Sequence, residues 1–331
     1  MTARRFVVIA NPHAGRGRAG QVLAQVVAHV RAAGAEAQGE LTMSIGHAAE
    51  LAEAAAAEGA VAVAVGGDGL LRAVAAGASR HAGTVGIVPA GRGNDFARTV
   101  GIDKKAVDAN IARLLTAEPV PTDCIAVVGG GAAEATPEAP PGSATGPNRA
   151  LSRPKSAGGA DTARGEASDV ALGNVYAGFD SLSNIHANDL RFNLGGLSYT
   201  WAALRVALTM PALEMEVTVD GERHAYRGSG VAIGNSRFYG GNVPFAPDAD
   251  PHDGLLDVVM FEQTDARSRV ATLWSMRSAG HIGRPGVRHV RGREVRVEVT
   301  PALEAYSDGD PVAQTPLTAT VMPGAIGLLR P

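Results

Sequence analysis

The chain has 331 residues, 45% of them hydrophobic, and a formal net charge of −3. That is enough apolar material for about two domains, and too little charge asymmetry to mark a nucleic-acid binder. Aromatics make up only 4% and do not interleave with basic clusters, and the single cysteine, Cys124, excludes an internal disulfide or a cysteine-based zinc site.

In chain order, residues 6–10 read as a buried strand that ends at Asn11-Pro12, followed by glycines and a helix over 19–33. This first apolar run is too short for the apolar region of a signal peptide. No run of about 18 apolar residues follows it, so a cytoplasmic chain without a membrane span is expected. Next come a helix over 47–58, a strand over 60–65, a helix over 70–80, a strand over 85–88 and a helix over 106–117. Continuous apolar strands alternating with helices predict a mainly parallel sheet covered on both faces.

The stretch 129–168 is rich in Ala, Gly, Pro, Ser and Thr, and Leu151 is its only Leu, Ile, Val or Phe. Its composition predicts a disordered insertion. Beyond it, strands are expected over 170–177, 213–219, 230–233, 255–261, 295–299 and 317–321. Asp220-Gly221 gives a hairpin signal, and helices fall near 197–209 and 266–278. The expected fold is thus an N-terminal parallel α/β domain over 1–122 and a β-rich, antiparallel sandwich-like domain over 123–331, with a cleft between them.

Three glycine turns follow strands. Gly15-Arg16-Gly17-Arg18-Ala19-Gly20 fits the dinucleotide pattern G-x-G-x-x-G, with Glu36 or Glu40 roughly 20 residues on. However, Asn11-Pro12-His13-Ala14 separate it from the strand, where that pattern requires a tight turn. Gly66-Gly67-Asp68-Gly69 ends a strand and opens a helix, so its amides can face an anion. Asp68 would there either cap the helix or reach phosphate through a divalent cation. The third turn, Gly91-Arg92-Gly93-Asn94-Asp95, again follows a strand, with Arg92 and Arg98 suited to phosphate and Asn94 or Asp95 also able to cap. Two such turns at the ends of parallel strands define one crevice.

Together, Asn11-Pro12-x-x-Gly15, Gly66-Gly67-Asp68-Gly69 and Pro89-x-Gly91-x-Gly93-Asn94-Asp95-Phe96-Ala97-Arg98 resemble the diacylglycerol kinase catalytic family, which includes sphingosine kinases and bacterial lipid kinases. The resemblance continues through Gly234-Asn235, Gly240-Gly241, the 247–258 stretch and Asp308-Gly309-Asp310. It implies an NAD kinase/diacylglycerol kinase-like fold and transfer of the ATP γ-phosphate to the hydroxyl of diacylglycerol or a related lipid alcohol, met at the membrane surface. Nucleotide would lie on Asn11, Gly15, Gly66, Gly67, Gly69, Gly91, Arg92, Gly93, Asn94, Asp95 and Asp123. Asp68 and Asp123 would hold the catalytic Mg²⁺, and Asp308 or Asp310 would be the general base. Arg16 and Arg18 would meet phosphate or headgroup. Asp250 and Asp253 would hold a structural Mg²⁺ or form an ordinary acidic turn. Relatives are often dimers, so a homodimer is expected too.

The chain departs from the family pattern beside its first motif. Leu70 stands where Thr or Ser is usual, Ala73 where Glu is usual, Arg92 where Thr is usual, and Asn242 replaces a third glycine. Two other readings stay open: an NAD kinase-like enzyme, and a catalytically impaired lipid- or nucleotide-binding member of the family.

Overall fold

A computed structural model of the chain describes residues 4–12, 19–91, 93–129, 169–183 and 196–331. The first part alternates strand and helix: β1 (Arg5–Ala10), α1 (Ala19–Ala32), β2 (Glu36–Leu41), α2 (Ile45–Ala57), β3 (Val61–Gly66), α3 (Asp68–Ser79), β4 (Thr84–Pro89), α4 (Asp95–Thr99) and α5 (Val107–Thr116). Strands β2-β1-β3-β4 pair in parallel in that order. Every residue of β3 is buried, as an apolar run covered on both faces requires. β2 was not expected from its polar sequence. It is an edge strand with Ala37 alone buried, held by backbone pairing to β1 rather than by an apolar face.

The second part runs β5 (Pro119–Gly129), β6 (Asp169–Ala171), β7 (Asn174–Gly178), α6 (Gly196–Thr209), β8 (Leu213–Val219), β9 (Glu222–Gly228), β10 (Gly230–Gly234), β11 (Phe238–Tyr239), β12 (Val243–Pro244) and β13 (Leu256–Phe261). It closes with α7 (Ala266–Met276), β14 (Val287–Gly292), β15 (Glu294–Thr300), β16 (Glu304–Ser307), β17 (Asp310–Gln314) and β18 (Leu317–Leu329). An antiparallel six-stranded sheet, β14-β13-β10-β7-β16-β17, faces β18, β15 and β8 across an apolar core. Val217, Val297 and Ala319 on one side meet Val175, Ile233 and Val258 on the other. β15 alternates buried and exposed along its whole length, as a strand with one face in the core and one in water must.

The two parts share a sheet. Residues 327–329 of β18 pair in parallel with 84–86 of β4, so the last strand extends the N-terminal sheet. β5 runs across residue 122 and lies antiparallel along β18, with a shift in register between Met322 and Ile326. Of the 129–168 segment, Gly129 closes β5; the rest lies outside the described residues.

The strand expected over 170–177 breaks into β6 and β7 at Leu172-Gly173. Both carbonyls there are taken by Asn235, Leu172 O by its Nδ2 at 2.9 Å and Gly173 O by its backbone N at 2.8 Å. The break abuts the Asp308 turn, since a Cβ at Gly173 would lie 3.1 Å from Asp308 Oδ1. Among the described residues, no helix is long and apolar enough to cross a membrane.

Candidate active site

Of the two turns that line the crevice, the first, at Gly66–Gly69, leads from β3 into α3, and the second, after Pro89, leads from β4 into α4. Parallel pairing of β3 with β4 brings the turns side by side. The amides of Ala90 and Gly91 both donate to Gly66 O, at 2.8 and 3.1 Å. A Cβ at Gly91 would lie 2.4 Å from Gly67 Cα, so a side chain there has no room. Asn94 closes the second turn. It sits in the left-handed region at φ 59°, donates from Nδ2 to Gly91 O at 2.9 Å and accepts from Gly91 N at 3.3 Å.

Asp68 does not cap its own helix, whose N-cap is Gly67. Its carboxylate reaches across to the second turn and accepts from Asn94 N at 2.7 Å and Phe96 N at 3.3 Å, supplying acceptors for the free amides that open α4. Gly93 lies against it: a Cβ there would meet Asp68 Oδ2 at 2.9 Å. Asp95 points the other way and accepts from Gly241 N at 2.7 Å, Asn242 N at 2.8 Å and the Arg98 guanidinium at 2.9 Å. Arg98, expected at phosphate, is thus paired with Asp95, and it also lies 5.6 Å from the centre of the Phe238 ring. Thr99 adds a second tie to the β-rich part, its hydroxyl 2.7 Å from Ser236 Oγ.

The turn between β16 and β17 brings Asp308 and Asp310 to the same crevice. Asp308 has φ +53° and is partly exposed, with its carboxyl accepting from Ser307 Oγ at 3.3 Å. Burial pushes its pKa up to about 7. The charge of Asp68 pushes the same way, against Arg72 and the Ser307 bond. Asp68 is also raised, by burial first and then by Asp95, against the backbone bonds that favour its ionised form.

Arg72, on α3, is the residue that motif reading missed. Its Nη1 pairs with Asp169 at 2.9 Å and its Nη2 with Asp310 at 3.5 Å, and its side chain is only 7% exposed. Burial opposes the charge, but Asp169, Asp310 and Asp308 outweigh it and hold the guanidinium protonated. The signal was an arginine amid Leu70, Leu71, Ala73 and Val74, which all face the core. A buried charge of that kind needs partners.

Beyond the 240–242 turn lies an apolar cavity of about 370 Å³, lined by Phe179, Leu204, Tyr239, Val243, Leu273 and Trp274, with Gly240 and Gly241 at one end. Asp180 is its buried polar group. Burial pushes the Asp180 pKa up to about 6, against a hydrogen bond from Tyr239 Oη at 2.8 Å. Gly241 therefore both borders the cavity and donates to Asp95, which joins the cavity to the glycine turns through one loop.

Comparison with known proteins places this geometry. Residues 5–127 match the model described as diacylglycerol kinase catalytic domain, and residues 173–330 match the YegS C-terminal NAD kinase beta sandwich-like domain. A diacylglycerol kinase of Mycobacterium tuberculosis (strain ATCC 25618 / H37Rv) is 30% identical over 99% of this chain and 95% of its own. The chain belongs to the diacylglycerol kinase family. A diacylglycerol kinase of Bacillus subtilis (strain 168) is 24% identical over 93% of this chain and 90% of its own. The crystal structure of a diacylglycerol kinase from Bacillus anthracis str. Sterne superposes with a TM-score of 0.67 over 100% of this chain and 98% of that one, at 17% identity, a likeness of fold. The protein is accordingly a lipid kinase, and the NAD kinase reading is not favoured: that name attaches only to the architecture of the C-terminal sandwich.

Other residues expected at the kinase site fall in several places. Asn11 directly follows β1. A Cβ at Gly69 would lie 3.3 Å from Asp310 Oδ2, so that turn abuts the Asp310 carboxylate. Asp123 is buried and its two oxygens accept from Gly254 N and Gly324 N, both at 2.8 Å. These bonds hold the 251–254 loop and the irregular part of β18. Asp250 accepts from His252 N at 3.2 Å, while Asp253 accepts from Leu255 N and pairs with Arg291, so a protein cation lies at the position read either as a metal ligand or as an ordinary acidic turn. Among the described residues no group of three or more His, Cys, Asp or Glu could hold a metal ion. Leu70 and Ala73 are 4% exposed and pack into the core of the parallel domain, Leu70 directly beneath Gly66. Gly15, Arg16, Arg18 and Arg92 lie outside the described residues.

Proposed function

We propose that this kinase transfers the γ-phosphate of ATP to the hydroxyl of diacylglycerol or a closely related lipid alcohol at a membrane surface. ATP phosphates would lie on the stacked glycine turns, and acyl chains would enter the cavity beyond Gly240 and Gly241. The observation that carries the reading is Asp308, a partly exposed carboxyl with a pKa near neutrality, set beside Asp68 on the phosphate turn.

On this reading Asp308 is the general base. The lipid oxygen bonds to the γ-phosphorus, the bond from that phosphorus to the β–γ bridging oxygen breaks, ADP leaves, and the hydroxyl proton passes to Asp308. A base with a pKa of about 7 combines a large ionised fraction at neutral pH with real proton affinity. Asp310 is the poorer choice because its carboxylate faces the Arg72 guanidinium. It positions the loop instead. Asp68 fixes the second turn through its bonds to 94 and 96, which holds the stacked glycine backbones of both turns in one place for phosphate to lie against.

The like charges of Asp68 and Asp308 suit a cation, and Mg²⁺ is held mostly by phosphate oxygens and water with one or two carboxylates. Asp68 would hold it, directly or through water. Asp123 also has both oxygens on backbone amides, and it is set apart from this role because it is buried whereas Asp68 is partly exposed. When bound, Mg²⁺ would neutralise charge on the transferring phosphoryl group.

The test is a labelled-ATP assay with Mg²⁺, a panel of lipid alcohols in mixed micelles, and NAD as a separate acceptor. Labelled lipid is expected, with kcat falling roughly 10²- to 10⁴-fold in Asp308→Asn and ATP affinity little changed. Labelled NADP without labelled lipid would overturn the substrate class. An unchanged rate in Asp308→Asn would overturn the role of the base.

A further inference from the structure

α6 and α7 pack against each other beside the cavity. The inner side of α6 puts Val206, Ala207 and Met210 into the sandwich core, and Arg269 of α7 donates from Nη1 to Met210 O at 2.7 Å, fastening the helices together. The outer side of α6 is apolar too. Trp201, Leu204 and Leu208, at helical spacing, are 61%, 36% and 56% exposed, and Trp274 on α7 is 74% exposed. A helix that has already buried one apolar stripe normally turns a polar face to water. Here four large apolar side chains face outward on adjacent helices, which marks a contact surface.

Two further observations select the partner. Neither helix contains an acidic residue, while Arg205, Arg267 and Arg277 stand exposed on or directly after them. The Arg277 guanidinium lies 5.1 Å from the centre of the Trp274 ring. Tryptophan rimmed by arginine is the composition that settles at a bilayer interface beside anionic headgroups. In addition, Leu204 and Trp274 are both exposed and cavity-lining, so the cavity opens onto this same face.

We propose that the outer face of α6 and α7 is the membrane-docking surface of the kinase. Trp201, Leu204, Leu208 and Trp274 enter the headgroup region of an anionic bilayer, the arginines pair with lipid phosphates, and a lipid moves from the bilayer into the cavity without crossing water. The last step rests on the reading of the cavity as the acyl site; the docking itself does not.

Trp201 and Trp274 are the only tryptophans of the chain, so intrinsic fluorescence reports on this face alone. Adding vesicles of equal parts phosphatidylcholine and phosphatidylglycerol is expected to shift emission to the blue, with quenching by brominated acyl chains. Pure phosphatidylcholine vesicles should bind more weakly, by roughly fivefold for each arginine engaged. The double variant Trp201→Ser/Leu208→Ser alters neither the glycine turns nor the cavity wall. It should weaken vesicle binding by about tenfold or more, and slow phosphorylation of vesicle-borne lipid in step. Its rate on a short-chain lipid alcohol dissolved as monomers should match the unsubstituted protein.

Emission unmoved by vesicles would overturn the proposal. So would emission already blue in free protein and reddening on dilution, which would mean that a second copy covers the face. Vesicle binding without phosphorylation of lipid in either form would uphold docking and sink the catalytic reading.

Discussion

At the turn end of the crevice, position is set by carboxylates holding main-chain amides: Asp68 takes those of 94 and 96, and Asp95 those of 241 and 242. At the cavity end, the walls are side chains of α6, α7 and the 239–243 loop, with one polar pair, buried Asp180 and half-buried Tyr239. Hydrogen bonds weaken steeply with misdirection, whereas apolar contacts adapt by rotating side chains at small cost. The first construction fits phosphoryl transfer, where an ångström matters, and the second fits acyl chains of varied length. The two meet at Gly241, which belongs to both.

Gly91 is where the turn end should break most completely. In Gly91→Ala the new methyl would stand 2.4 Å from Gly67 Cα and 2.9 Å from Gly67 N, and neither backbone atom can rotate away. The turns must part, at a cost of about 1–3 kcal/mol in stability. Turnover should fall by roughly 100-fold or more, because misplaced phosphate contacts are paid for in the transition state. Preference among acyl chain lengths, measured on the residual activity, should not change. Wild-type kinetics in Gly91→Ala would show that contact between the turns is dispensable.

The same contrast governs what could be read in the sequence. The glycine turns were legible because their chemistry is local: a strand end, glycines for close approach and a helix start within a few residues. The parallel and antiparallel halves were legible from the change in apolar pattern. Arg72 was not, because its partners Asp169 and Asp310 lie 97 and 238 residues away and no local pattern connects them. Leu70 stands where the family pattern has a hydrogen-bond donor for phosphate, and Ala73 where it has Glu. Their side chains instead fill core beneath the turn, so the departure from the family pattern is first a packing change. The cavity was equally hidden, since Leu204 and Leu273 read as ordinary helix residues until the fold brings them together with Tyr239.

Arg72 offers a sharper test within the turn end. Its charge lowers the pKa of Asp308 against burial, so Arg72→Met should raise that pKa above about 7. Asp308 must be ionised to act as base, and the acidic limb of the kcat/KM profile should therefore move to higher pH. A shift of one unit would cost about fivefold at pH 7 and approach tenfold in more acidic buffer, and that loss would be regained in alkaline buffer. Unpairing Asp169 and Asp310 should also lower stability by about 1–3 kcal/mol. Arg72→Lys should restore the limb, because it keeps the charge, but only part of the stability, because it cannot fork between two carboxylates. A pH profile unmoved in Arg72→Met would reduce Arg72 to a structural pin.

The smallest expected effect lies at the cavity end and has the opposite sign. Burial raises Asp180 from 3.8 to about 6, so folding disfavours its ionised form. Its contribution to stability is then fully present below pH 3.8, declines as pH rises toward about 6, and stays low above that. Asp180→Asn removes the ionisable group while keeping an oxygen to accept from Tyr239 Oη. The substitution should stabilise the protein at neutral pH by on the order of 1–3 kcal/mol and have little effect in acid below the ordinary carboxyl range, as melting temperatures at the two pH values would register. Asp95→Asn at the turn end should do the reverse and destabilise. Its carboxylate accepts from two amides and a guanidinium, and an amide group cannot satisfy all three. Matching signs at the two positions would mean that the Asp180 carboxylate, like that of Asp95, makes hydrogen bonds that an amide group cannot replace.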